Sequence, residues 1–225
     1  MSNLVKADLH VHTRYSEDSI SSPEKIVQHC LNVGINCLAI TDHDEISGAF
    51  EVKRIAPFKV ILGEEILTSQ GEIIGYFLTE KIPPRLSPEE TVARIKAQGG
   101  LTCIPHPYDR FRSGAKLRND ALDKILPEID LIEVFNSRTM LLRDSAHALE
   151  LARRRDLPAT AGSDAHIVQE VGSTYMEIPE FNDAEQFRQA LKQGQVFGHR
   201  TNFFIHFYGI RNRLVKQFQR TCSHV

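Results

Sequence analysis

The feature that most constrains this chain is an alternation of short apolar runs with segments of helical periodicity. Ala7–His12, Cys37–Thr41, Lys59–Ile66, Leu101–Pro105, Leu131–Phe135, Ala159–Gly162, Tyr175–Ile178 and Gln195–Gly198 read as strands. Helices between them have recognisable ends. Ser22-Pro23 opens the first and Gly34 closes it. Ser87-Pro88-Glu89-Glu90 supplies a capping box ahead of Gly99. Asn182 with Glu185 opens another helix that ends at Gly194, and Ser145–Arg154 is stopped ahead of Pro158. Strands and helices in turn predict a parallel sheet or barrel with crossover helices. One place breaks the alternation: Thr68-Ser69-Gln70-Gly71 separates two β-like runs and reads as a hairpin.

The 225 residues suit a single domain over 1–225, with 200–225 as a basic C-terminal extension packing on or extending from it. No 18-residue apolar run is present, so no transmembrane helix is expected. A charged motif within ten residues of Met1 leaves no room for a signal peptide, which predicts a cytoplasmic protein. Cys30, Cys37, Cys103 and Cys222 show no C-x-x-C spacing and read as core filler. Charge is uneven. Seven basic residues and no acidic one follow Glu185, leaving 20 basic against 29 acidic residues up to and including it. In the tail, Ile210, Leu214, Val215 and Phe218 recur at roughly helical spacing among arginines and Lys216. The tail reads first as a final strand and helix that cover the barrel, and second as a surface for anionic polymer such as short nucleic acid, or a membrane-surface helix.

Histidines and carboxylates collect at the ends of the apolar runs. His10, His12, His43, His106 and His166 are there, as are Asp42, Asp44, Glu64, Glu65, Glu133 and Asp164. In parallel α/β architectures these strand ends share one rim, where active sites form. On a strand, His10 and His12 point the same way and make a clamp for a divalent metal, with Leu9 and Val11 opposite. Asp164-Ala165-His166 repeats the spacing after Gly162-Ser163, a glycine that relieves crowding where backbone passes close to a ligand.

The ordered set DLHVHT, AITDHD, GEEI, IPHP, IEVFN and GSDAH resembles the polymerase and histidinol phosphatase (PHP) family of metal-dependent phosphoesterases. The resemblance implies a distorted seven-stranded β/α barrel and two or three divalent ions (Mn, Zn, Fe or Mg). Carried onto this chain, the ligands would be His10, His12, Asp18, His43, Glu65, His106, Asp164 and His166. Asp18 is preferred to Glu17, and Glu65 takes the bridging place. Glu133 and Asn136 are further candidates, Glu133 ranking as the ninth ligand. Five histidines and four carboxylates carry a net −4 with the imidazoles neutral, so the set needs cations.

The implied reaction is hydrolysis of phosphomonoesters by a metal-activated hydroxide. Nucleotide or nucleoside bisphosphate substrates, or short oligonucleotide ends, come first. A histidinol-phosphate-type phosphatase and a metal-dependent amidohydrolase are the alternatives. The amidohydrolase ranks lower because Glu65, and no lysine, fills the bridging place. Substrate phosphate needs cationic donors, for which Arg138 comes first and Arg110 second. Asp42 and Asp44 flank His43 as orienting groups or proton acceptors.

Overall fold

The computed structural model describes residues 4–112 and 114–200 together with Asn212 and Lys216. One sheet contains β1 (Leu4–Val11), β2 (Cys37–Ile40), β3 (Lys59–Thr68), β4 (Gly71–Tyr76), β5 (Leu101–Ile104), β6 (Leu131–Asn136), β7 (Ala159–Gly162), β8 (Thr174–Pro179) and β9 (Gln195–Gly198). Their spatial order is β7-β6-β5-β4-β3-β2-β1-β8-β9. The helices are α1 (Pro23–Val33), α2 (Ser47–Ile55), α3 (Pro88–Ala97), α4 (Asn119–Ile125), α5 (Leu142–Arg154) and α6 (Ala184–Leu191). The fold is a mixed α/β barrel, nearly closed, with nine strands rather than the expected seven.

The edge of β1 explains that correction. Strands β1 to β7 curl until β7 reaches the upper half of β1. There the Asp164 N–H donates to the His10 carbonyl at 2.8 Å and the His12 N–H donates to the Ala165 carbonyl at 3.0 Å. The lower half of the same edge, Leu4–Ala7, pairs antiparallel with β8, and β9 pairs with β8. Gly162 makes the closure possible. A Cβ there would lie 2.4 Å from the His10 Cβ and 2.6 Å from its backbone nitrogen. The crowding that glycine relieves is therefore the approach of strand β1.

Two apolar clusters divide the molecule. Val5, Ala7, Leu9, Ala39, Ile61, Ile74, Tyr76, Cys103 and Ala161 fill the barrel, joined by Phe181, Phe187 and Leu191 around α6. Ile26, Val27, Leu38, Val52, Val92, Ile95, Ile132 and Ala148 pack the helices against its outer wall. Leu9 lies in the inner cluster and Val11 in the outer one, so they do not share a face as expected. A register shift between Asp8 and Val11 reverses the alternation. His10 and His12 consequently continue the inner face above Leu9.

Helix ends follow local chemistry. Ser22 and Ser87 side chains accept from the Lys25 and Glu90 N–H groups, while the Glu90 carboxylate accepts from Arg94 in place of the expected capping-box return. At α6 the cap is Asp183, which accepts from the Gln186 N–H at 2.8 Å, and not Asn182. Helix α5 starts at Leu142, ahead of the expected Ser145. Helices α2 and α4 have no side-chain cap at their N-termini, and their starts carry no sequence signal. Cys30, Cys37 and Cys103 are free and buried, and burial pushes the Cys30 and Cys37 thiols up to about 12. The expected tail helix lies outside the described residues except for Asn212 and Lys216, both helical. Among the described residues no helix is long and apolar enough to cross a membrane.

Candidate metal centre

Strands β1, β2, β3, β5, β6 and β7 run parallel, so their C-terminal ends meet at one rim. His10 and His12 stand at the end of β1, with their Nε2 atoms 3.1 Å apart. Glu65 reaches between several imidazoles. Its Oε2 is 3.2 Å from His10 Nε2, 3.4 Å from His12 Nε2 and 3.3 Å from His43 Nδ1; its Oε1 is 3.1 Å from His106 Nε2. Asp164 Oδ1 lies 3.3 Å from His12 Nε2 and 3.4 Å from His166 Nδ1. Asp18 Oδ2 is 3.0 Å from His166 Nε2 and 3.5 Å from His43 Nε2.

Three groups offer ligand atoms within 4.8 Å of one another: His12 with Asp18, His43 and His166; His10 with His12 and Glu65; and His43 with Glu65 and Glu72. Asp18, buried, joins the first group, whereas Glu17 is exposed on the same loop. The fit to cations has independent support. Asp164 Oδ1 and Glu72 Oε2 are buried carboxylate oxygens with no hydrogen-bond partner. Buried anions among imidazoles, unbonded on one oxygen, are what divalent ions require.

Glu72 is the residue the sequence reading missed. Strand β4 runs antiparallel, so its beginning, not its end, lies at the rim. Glu72 pairs with Leu67, which puts it diagonally across from Glu65 on the same face. Its carboxylate is 3.6 Å from both His43 Nδ1 and His106 Nε2. The hairpin was legible; asking which end of its second strand meets the rim would have found Glu72.

Glu133 lies outside all three groups. Its Oε1 is 2.9 Å from His10 Nδ1, and its Oε2 accepts from the His106 N–H at 2.9 Å and Asn136 Nδ2 at 3.1 Å. A proton on His10 Nδ1 directs the Nε2 lone pair at the cluster. Asn136 also donates to Asp164 Oδ2 at 3.2 Å. Asp42 faces away, both its oxygens accepting from the backbone and hydroxyl of Thr13 at 2.5 and 2.7 Å. Asp44 accepts from the Leu67 N–H at 2.8 Å. It also lines a cavity of about 300 Å³ with Tyr15, Glu17, His43, Glu45, Leu67, Glu72 and Arg85.

The arginines are distributed differently from expectation. Arg138 is buried behind His166, touching its Nδ1 and lying 3.8 Å from Glu170. Arg110 is half exposed on Asp144 at 3.4 Å, away from the cluster. Arg112 is the arginine at the rim. It bonds Asp164 Oδ2 and lies 3.4 Å from Asp109.

Among the protein groups alone, charge and burial compete. Burial opposes protonation of His10, yet Glu65, Asp164 and Glu133 hold it well above the usual imidazole range. His43 is raised in the same sense by Glu65 and Asp18 against its burial. His12 goes the other way, down to about 3, through burial and the charges of His166 and His43. Burial and the neighbouring Glu65 push Glu72 up to about 7. His106 and Asp164 adopt left-handed backbone, with φ of 31° and 54°. Such strain persists where surrounding bonds over-determine it. Here those bonds are His106 N–H to Glu133 and Asp164 N–H to His10.

These features define a class: a β/α barrel that gathers imidazoles and carboxylates at one rim. Within it, the chain belongs to the PHP family, whose domain model matches residues 8–113 and whose PHP-associated model matches residues 144–196. An uncharacterised protein of Methanocaldococcus jannaschii is 42% identical over 146 residues, covering 59% of this chain and 82% of that protein. A 5'-3' exoribonuclease of Haemophilus influenzae is 39% identical over 67 residues, covering 28% of this chain and 24% of that protein. A two-domain protein of Bacteroides vulgatus, described as containing a predicted PHP-like metal-dependent phosphoesterase, shares the fold. Its TM-score is 0.72 at 17% identity, over 88% of this chain and 66% of that one.

Proposed function

We propose that the chain hydrolyses phosphomonoesters, with nucleotides, nucleoside bisphosphates or short oligonucleotide ends as substrates. The observation that carries this reading is the convergence of His10, His12, Asp18, His43, Glu65, Glu72, His106, Asp164 and His166 on one rim. Divalent ions held there would neutralise substrate charge, acidify a water and stabilise the leaving oxygen.

The remaining steps belong to protein groups. Arg112 keeps donors beyond those spent on Asp164 and Asp109, and a guanidinium fork matches phosphate oxygens. Glu133 and Asn136 hold His10 and Asp164 in place without entering the cluster. Asp44 faces the cavity, and burial raises its carboxyl, which favours a role in passing a proton at the leaving oxygen. Tyr15 and Arg85 line the same cavity, where a ring can stack on a base and a cation can meet a second phosphate. The similarity to an exoribonuclease supports the nucleotide reading.

The test is phosphate release by the Mn-loaded protein from nucleoside monophosphates, nucleoside bisphosphates, short oligonucleotides and simple alkyl phosphates. His12→Ala and Asp164→Ala serve as blanks. Turnover that prefers nucleotide substrates and vanishes in both blanks is expected. Equal release by wild type and blanks would overturn the site.

A further inference from the structure

The loop that delivers Asp18 is held from the far end of the chain. Asp18 leaves a turn between β1 and α1, whereas His10, His12 and Glu65 stand on strands tied into the sheet. Three alternate carbonyls of that loop meet two side chains roughly 200 residues later in sequence. Lys216 Nζ donates to the Arg14 carbonyl at 2.5 Å and also to the Ser16 carbonyl. The buried Asn212 Nδ2 donates to the Asp18 carbonyl at 3.1 Å and to the His166 carbonyl at 3.4 Å. One amide group thus joins the backbones of the two residues whose side chains meet at 3.0 Å in the cluster.

We infer that Asn212 and Lys216 form a clamp that fixes Asp18 against His166, making these two residues positioning elements of one half of the metal centre. The inference rests on the reading that the rim holds divalent cations. The half concerned is His12, Asp18, His43 and His166; His10 and Glu65, which form a second group with His12, stand on strands paired in the sheet. Backbone held on both sides of a ligand pair lowers the entropy lost when an ion draws the two side chains together. Lys216, one of the seven basic residues after Glu185, is thereby assigned to the site's framework rather than to an anionic polymer.

The clamp is tested on the full chain after removal of bound metal. Mn²⁺ is titrated calorimetrically into wild type, Asn212→Asp and Lys216→Met. Asn212→Asp keeps the size of the side chain but turns an acceptor toward both carbonyls. Lys216→Met keeps the stem and covers the case in which the buried variant does not fold.

One class of Mn²⁺ binding should weaken about tenfold or more, while the other stays within about twofold of wild type. The metal-free melting temperature should move by less than about 2 °C. Variants that titrate like wild type would overturn the clamp, as would a uniform loss across all classes together with a lower metal-free melt. Wild type that takes up no Mn²⁺ would overturn the cation reading and the clamp with it, a result distinct from either.

Discussion

Glu65 shows how much a single residue decides here, because four imidazoles approach its two oxygens. Its charge helps to raise His10 and His43, so protons occupy nitrogens that an ion needs. Ligand affinity must then rise with pH as those protons leave. Between pH 6 and 8 the apparent Kd for Mn²⁺ should fall by about tenfold or more, with proton release visible as a buffer-dependent heat. A flat pH profile would refute the coupling.

Arg112 makes a second residue-scale prediction. Arg112→Ala should raise KM for a nucleotide substrate about tenfold or more, and Arg112→Lys should not restore it, since the planar fork is lost. Arg110→Ala should leave KM within about twofold, because that side chain pairs with Asp144 at the surface.

Glu64 makes the third. It is fully buried, one oxygen has no partner, and burial raises its carboxyl to about 8. A folded-state value above the unfolded one means that stability declines as pH rises from about 4 to about 8. Glu64→Gln removes that decline while keeping the acceptor for the Ile82 N–H. At pH 8.5 the variant should melt about 3–6 °C above wild type, and at pH 5 the two should coincide within about a degree. A higher melt at pH 5 and none at pH 8.5 would reverse the sign.

At the scale of elements, the contact between β7 and β1 governs the site. Gly162 lies against the backbone of His10, so any Cβ must push the two strands apart. Gly162→Ala is expected to cost about 3 kcal/mol in urea unfolding, at the upper end of overpacking in cores. Metal affinity should fall with it, because His10 and His12 are the residues displaced. A variant of unchanged stability would show that the barrel closes elsewhere. The register shift in β1 acts in the same region. It lets Leu9 belong to the inner core while His10 and His12 still face inward above it. A regular strand would offer the cluster either the histidines or the packing beneath them.

For the whole molecule, the rim proposed as the reactive site is also an expected source of stability. Its carboxylates and imidazoles come from strands distributed around the barrel, so an ion shared among them ties those strands together. Removing metal with a chelator should lower the melting temperature by about 5 °C or more when ions had been present at a hundredfold excess over Kd. Readdition of Mn²⁺ should restore it. A melt indifferent to metal would contradict a shared centre.

What the sequence determined by itself is considerable, and the reasons are local. Strand and helix alternation, the serine caps at Ser22 and Ser87, and the H-x-H spacing are short-range patterns set by backbone geometry. They sufficed for a parallel sheet or barrel with histidines gathered at strand ends, while the PHP resemblance rested on six ordered motifs from DLHVHT to GSDAH. Tertiary structure alone decided what depends on direction and closure. Antiparallel β4 turned Glu72 toward the rim. The edge of β1 was shared between β7 and β8, which placed the expected strands β8 and β9 in the same sheet. Glu133 went behind His10, Arg112 took the place at the cluster, and Asn212 and Lys216 returned to hold the Asp18 loop. Each of these is a contact between residues distant in sequence, and spacing along a chain carries no record of which distant surfaces will meet.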